Sequence, residues 1–210
     1  MNRIHKSLAI FSLATLLGGV GVPAIAQTAP LSLAQNTPVG QTSPKAVDLF
    51  NQGLQKMERQ DFQGAITDFN ESLKIEPNNA ETHYFRGLAF DLLEENDKAI
   101  EDYTAAIRIA PDNTFAYNNR GTVYAELKNY QKAIDDYNQA LKLDGENANA
   151  YYNRGLANAA LEKPTEAIAD FQKAADIYKK QGKTQDYQDA MNRITELQSP
   201  APQTPTPQTP

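Results

Sequence analysis

The 210-residue sequence has no cysteine and no tryptophan, and its only histidines are His5 and His83. Without cysteine there is no disulfide, no thiolate metal ligand and no thiol nucleophile. One histidine beyond the leading segment leaves neither a zinc ligand set nor the imidazole partner of a nucleophilic triad in a recognisable arrangement. Positive charge is also short. Twenty Lys and Arg stand against twenty-six Asp and Glu, a formal charge of −6, which argues against a nucleic-acid backbone as partner, since its binders usually carry a basic face. No phosphate-loop pattern is present; the GGVG at 18 to 21 falls in the leading apolar stretch.

Long hydrophobic runs are missing as well, apart from that stretch. Residues 1–26 carry Arg3 and Lys6, then an apolar run from Leu8 to Val22, then Ala24-Ile25-Ala26. This is the pattern of a secretory signal with a small-residue cleavage site. As a retained anchor the run, roughly fifteen residues long and containing Gly18, Gly19 and Gly21, is short of the ~20 that a bilayer needs. Cleavage after Ala26 would remove two basic residues and no acid, moving the charge from −6 to −8. The mature chain is therefore predicted to be acidic, without stable membrane insertion, and exported to a periplasm, a thylakoid lumen or the extracellular space. Residues 27–44 and 199–210 are uncharged and rich in Pro, Thr and Gln, so they are expected to be disordered, as a linker and a tail.

Between them lies a repeat. Segments 46–79, 80–113, 114–147 and 148–181 align without a gap at a period of 34. The eighth column is Gly53, Gly87, Gly121 and Gly155; the twentieth is Ala65, Ala99, Ala133 and Ala167. An aromatic follows each Ala by four residues (Phe69, Tyr103, Tyr137, Phe171), and the twenty-seventh column is small throughout. Small residues in these columns let two antiparallel helices approach closely, and the Ala–Ile–aromatic–Ala stripe marks the second helix of each pair. No pair of ~14-residue helices can bury its own apolar face, so the pairs must stack. Past Gly182 the stretch 184–197 places Tyr187, Ala190, Met191, Ile194 and Leu197 at helical spacing with a polar opposite side, as a helix that caps the stack.

These columns resemble the tetratricopeptide repeat, with Pro77 and Pro111 closing units as that family's Pro does and Gly145 and Lys179 departing from it. The resemblance covers 46–181. It implies an all-α superhelix, or solenoid, of four helix-turn-helix units within 45–198, and a non-enzymatic scaffold or adaptor that binds a peptide segment or helix of a partner protein. A second reading is a carrier or an accessory subunit of an envelope enzyme complex. No cofactor is implied, and a monomer is expected.

In the family, first helices line a groove, and the corresponding positions here are Phe50, Tyr84, Asn118 and Tyr152 in the fifth column and Leu88, Thr122 and Leu156 in the ninth, with Asn119 and Asn153 beside them. The family's carboxylate clamp for acidic C-terminal tails uses Lys, Asn, Asn, Lys and Arg. The best alignment here offers Tyr84, Leu88, Asn119, Asn149 and Asn153, a single match. Arg86, Arg120 and Arg154 recur in the seventh column, and Asp68, Asp102, Asp136 and Asp170 in the twenty-third. Acids repeating at a structural period are not catalytic; each Arg is predicted to lie half-buried between helices and pair with one of these Asp residues. Asn70-Glu71-Ser72 matches a glycosylation sequon, but Ser72 occupies a packing column.

Overall fold

The computed structural model describes residues 43–199; the proposed signal 1–26, nearly all of the linker and the tail beyond Ser199 lie outside them. Among the described residues are nine α-helices and no strand, so the fold is an all-α solenoid type. They fall into two compact units that divide after Asp112.

The first unit holds α1 (Pro44–Glu58), α2 (Phe62–Ile75), α3 (Ala80–Leu92) and α4 (Asn96–Ile109). Pro44, placed by sequence in the linker, is the first residue of α1, where its missing N–H costs nothing and its fixed φ suits a helix start. Helices α1 and α2 pack as a pair, as do α3 and α4, and α2 joins the pairs. The core gathers Met57, Ala65, Ile66, Phe69, Leu88 and Ala89. Gly53 is required by this approach, because a Cβ there would overlap the Phe69 ring.

The second unit holds α5 (Thr114–Glu126), α6 (Tyr130–Leu143), α7 (Ala148–Ala160), α8 (Pro164–Lys180) and α9 (Thr184–Gln198). Its pairs are α5 with α6 and α7 with α8, joined through α6 and α7. Ala133, Ile134, Tyr137 and Ala157 form its centre. At 17 residues, α8 outruns the 14 of α2, α4 and α6. Helix α9 packs along it and buries Ala190 and Ile194.

The thirty-fourth column explains where α3, α5 and α7 begin. Asn79, Asn113 and Asn147 each accept a hydrogen bond from the backbone N–H three residues on, at 2.9, 3.0 and 3.0 Å. That satisfies a donor the first helical turn otherwise leaves unpaired. The fourth unit carries Gln181 in this column, and there α8 ends and the chain turns through Gly182, φ +70°, into α9. The turn inside each pair bends through a left-handed residue that is not glycine: Gln60, Glu94, Lys128 and Glu162, with φ between 56° and 62°.

Candidate protein-binding site

In the first unit, α1 and α3 lie side by side on α2. Phe50 of α1 meets Phe69 at 5.9 Å and Phe85 edge-on at 5.7 Å. Tyr84 meets Phe85 at 5.1 Å and Tyr103 at 5.9 Å. The rings thus run without interruption from α2 across α1 and α3 to α4, in the tilted and edge contacts that aromatic pairs favour. Phe50, Tyr84 and Phe85 are half-buried, and Val47, one turn before Phe50, is 41% exposed. Leu88 does not belong to this surface. It is 5% exposed, locked among Met57, Ile66 and Phe69, so its predicted contact with a partner is replaced by a packing role.

The second unit presents different chemistry. Asn118, Asn119 and Thr122 on α5 and Asn153 and Leu156 on α7 are half-buried. Asn118 donates to Asn119 Oδ1 at 3.4 Å, and the Thr122 hydroxyl donates to the Asn118 carbonyl at 3.0 Å. Thr122 Oγ1 in turn accepts from Tyr137 at 3.4 Å and from Asn153 Nδ2 at 3.5 Å. Phe115, in the first turn of α5, is 47% exposed.

Tyr152 is corrected as Leu88 is. Predicted to touch a partner, it is only 4% exposed, with its ring against Phe171 at 5.4 Å. The closing helix has taken the place that the fifth column of this unit offers. The nearby Tyr152 hydroxyl leads the causes that raise the Arg193 guanidinium of α9 above its ordinary value.

The recurring Arg residues are ion-paired. Arg86 grips Asp102 with Nε and Nη2, both at 2.7 Å. Arg120 grips Asp136 at 2.8 and 2.7 Å, and Arg154 grips Asp170 at 2.9 and 2.6 Å. Two parallel charge-assisted bonds are the strong form of this interaction, and the carboxylates are buried. Burial by itself would raise the Asp102 carboxyl, but the bonds from Arg86 and His83 outweigh it and hold Asp102 below the usual carboxylate range.

Asp68 is the exception to the predicted pairing. Its seventh column holds Gln52, and Lys56 supplies the cation at 2.6 Å. A further partner went unread in the sequence: the spare Nη1 of Arg86 reaches Asn70 at 2.7 Å, and that of Arg154 reaches Asn138 at 2.6 Å. Both Asn residues occupy the twenty-fifth column of the preceding repeat, so each Arg ties one repeat to the next. A column count shared by Asn70 and Asn138 was the available signal. Ser72, of the sequon, is 2% exposed and donates to the Ala46 carbonyl at 2.9 Å.

Sequence-family comparison gives the same period. The tetratricopeptide-repeat model matches residues 80–113 and 114–147, a second model of that repeat matches 148–181, and a TPR repeat model matches 53–93. The chain belongs to the tetratricopeptide-repeat family. No curated protein sequence matches it significantly. Among solved structures it is similar to MamA, from position 41 to the end, of Desulfovibrio magneticus RS-1: 22% identity, TM-score 0.63, covering 74% of this chain and 94% of that one. The TPR domain of Arabidopsis OM64 is 29% identical, with a TM-score of 0.52, over 57% and 93%. The first TPR of Spaghetti (RPAP3), bound to the HSP90 peptide SRMEEVD, is 25% identical, with a TM-score of 0.56, over 59% and 99%.

The tetratricopeptide units here therefore share their packing columns and differ in the columns that face outward. Among the described residues no His, Asp and Glu cluster is arranged to hold a metal ion, and no helix is long and apolar enough to cross a membrane. The residues brought together are packing contacts, ion pairs and two patches of unlike polarity, which suit recognition of another surface.

Proposed function

We propose that the chain is an exported, non-enzymatic interaction scaffold that binds a segment of a partner protein. The observation that carries this is the aromatic line of the first unit: Phe50, Tyr84 and Phe85 remain half-buried at the outer faces of α1 and α3 beside the exposed Val47. Rigid rings offer large contact area at little entropic cost, which favours them as anchors for a peptide's apolar side chains. On α5 and α7, Asn118, Asn119, Thr122 and Asn153 supply donors and acceptors for a bound backbone. The Spaghetti domain, of the same family, carries an HSP90 peptide, and this supports peptide binding as the mode.

The ligand is not an acidic C-terminal tail. Tyr84, Asn149 and Asn153 stand where a carboxylate clamp needs Lys, Lys and Arg, so these positions provide no cation for the terminal acid. Export is inferred from residues 1–26 and is tested separately by locating the mature protein and sequencing its N-terminus.

Binding is tested with a photoreactive residue at Phe115 or Val47 in the native envelope fraction, with Leu143 (44% exposed) as the comparison site. The expected result is a discrete crosslinked protein from Phe115 or Val47, the Val47 product being abolished by Tyr84→Ala while the melting temperature stays within a few degrees. Equal labelling from all three sites, or indifference to Tyr84→Ala, would count against the scaffold reading. Tyr152→Ala is unsuitable for this purpose because it opens the core under α9.

A further inference from the structure

Where the third and fourth repeats lack the closing Pro, a cavity opens. The position closed by Pro77 and Pro111 in earlier units is Gly145, and α8 continues one turn beyond the other second helices, carrying Lys179 and Lys180. Together they bound a cavity of about 450 Å³ lined by Gly145, Tyr151, Ile177, the three lysines Lys173, Lys179 and Lys180, and two acids, Glu146 and Asp176. That volume lies within the range of small-ligand sites, roughly 300–1,000 Å³. At the equivalent place in the first unit, His83 Nε2 closes on the Pro77 carbonyl at 3.0 Å, and α4 stops at Ile109.

The charge here is unlike the rest of this acidic chain. Elsewhere Lys56, Lys74 and Lys98 meet carboxylates, and Lys132 and Lys183 lie over aromatic rings; Lys45, Lys128, Lys142 and Lys163 have no such partner among the described residues, so it is the grouping of lysines at one cavity that sets this place apart. Lys173, Lys179 and Lys180, all exposed, have no ion pair or hydrogen bond among the described residues, and all three line one cavity. Of the two acids, Asp176 already accepts from Gln172 at 3.1 Å. Ile177 is 5% exposed, and the half-buried Tyr151 ring carries Arg154 5.4 Å from its centre. Three ammonium groups beside a rigid aromatic and an aliphatic wall match a ligand with a compact double charge at one end and a flat or apolar body. A phosphate monoester carries nearly two charges at neutral pH and accepts from several ammonium groups at once.

We propose that this cavity binds a small phosphate-bearing molecule, its anionic end held by Lys173, Lys179 and Lys180 and its body lying against Tyr151 and Ile177. The site uses other residues than those proposed to bind a partner protein and stands or falls separately.

The test follows amide resonances of the full chain during titration with AMP, inorganic phosphate, adenosine and citrate. The expected result is localised shifts at Gly145 and Tyr151 with AMP, weaker binding of phosphate alone, and little response to adenosine. Lys173→Gln with Lys179→Gln and Lys180→Gln should weaken AMP by about tenfold or more. The same charge change at Lys45, Lys128 and Lys163 should alter it less than about twofold, and Glu146→Gln should tighten it. All variants are checked for an undisturbed spectrum elsewhere. The proposal is overturned if AMP and phosphate shift nothing locally, if citrate or adenosine binds as tightly as AMP, or if both triple variants weaken AMP equally, which would leave only diffuse attraction.

Discussion

The first unit keeps aromatic rings at its outer helix faces, whereas the second, built on the same period, keeps amides and a hydroxyl there and closes its end with an extra helix. Phe50 and Tyr84 stand in the column that holds Asn118 and Tyr152 in the second unit, and only the first two and Asn118 remain accessible. Packing columns do not vary in this way: Gly faces an aromatic in all four repeats, with a Cβ at Gly87 3.1 Å from Tyr103 and one at Gly121 or Gly155 2.8 Å from Tyr137 or Phe171. The period therefore sets how the helices meet, and the freedom left to the sequence lies in what the first helices show outward and in how the chain ends.

Removing the end should break the second unit first. Deletion of residues 183–210 uncovers Tyr152, Ala175 and Tyr178, all buried in the intact chain, and each large apolar side chain returned to water costs about 1.5–3 kcal/mol. The expected outcome is early loss of helicity from the second unit and a rise in dye binding to exposed apolar surface. Hydrogen exchange localises the loss. Equal protection of 113–182 with and without α9 would show that the helix is only an appendage.

The polar centres sharpen the comparison next. Asp102→Ala leaves Arg86 half-buried without its carboxylate and takes a partner from His83, and should cost about 3–5 kcal/mol in denaturant unfolding. Asp68→Ala releases only Lys56, whose side chain is 35% exposed and can turn to water, so its cost should be well under half of that. Asp102 also predicts an acid dependence. Its carboxyl titrates lower in the folded chain than in the unfolded one, so the stabilisation is complete above the ordinary value near pH 4 and is lost as the pH falls through the lowered folded value. Asp102→Ala should flatten that acid limb; an unchanged slope would mean that other carboxylates govern it.

Much of the fold was legible because its causes recur every 34 residues: Gly53 and Phe69, or Ala133 and Tyr137, announce a close helix contact each time they return. The Arg–Asp pairs were legible for the same reason, except at Asp68, which was counted among the partners although its repeat has Gln52 in place of Arg. What stayed hidden depends on partners that do not recur. Tyr152 shares a column with Tyr84, yet α9 and Arg193 cover it, and no column comparison can see a helix outside the repeat. Leu88 likewise reads as equivalent to Thr122, but a longer apolar side chain at that place is drawn into the Met57, Ile66 and Phe69 cluster.

The glycine column offers a graded test inside one unit. Gly53→Ala meets the Phe69 ring head-on and should destabilise by about 1–3 kcal/mol, the range for overpacking. At Gly87 the nearest ring atom of Tyr103 is 3.1 Å away, and a shift of a few tenths of an ångström accommodates the methyl, so Gly87→Ala should cost less. Thermal unfolding of the two variants gives the order; a reversal would mean that the Phe69 ring swings aside freely and that the first repeat is packed more loosely than the second.

The smallest effect has the opposite sign and should be the same in both units. Gln60 and Glu162 turn the chain with φ of 61° and 56°, a region where an L side chain crowds its own backbone and glycine does not. Both are exposed, so replacement by glycine removes strain without opening a core. Part of the gain is offset by the greater freedom of glycine in the unfolded chain, leaving a net stabilisation of about 0.5–1 kcal/mol per site at the helix C-terminus. Gln60→Gly and Glu162→Gly should therefore raise the melting temperature by similar amounts and add when combined, since the sites lie in different units and share no partner. A gain at one site and a loss at the other would show that the two turns, alike in backbone angle, are held by different contacts.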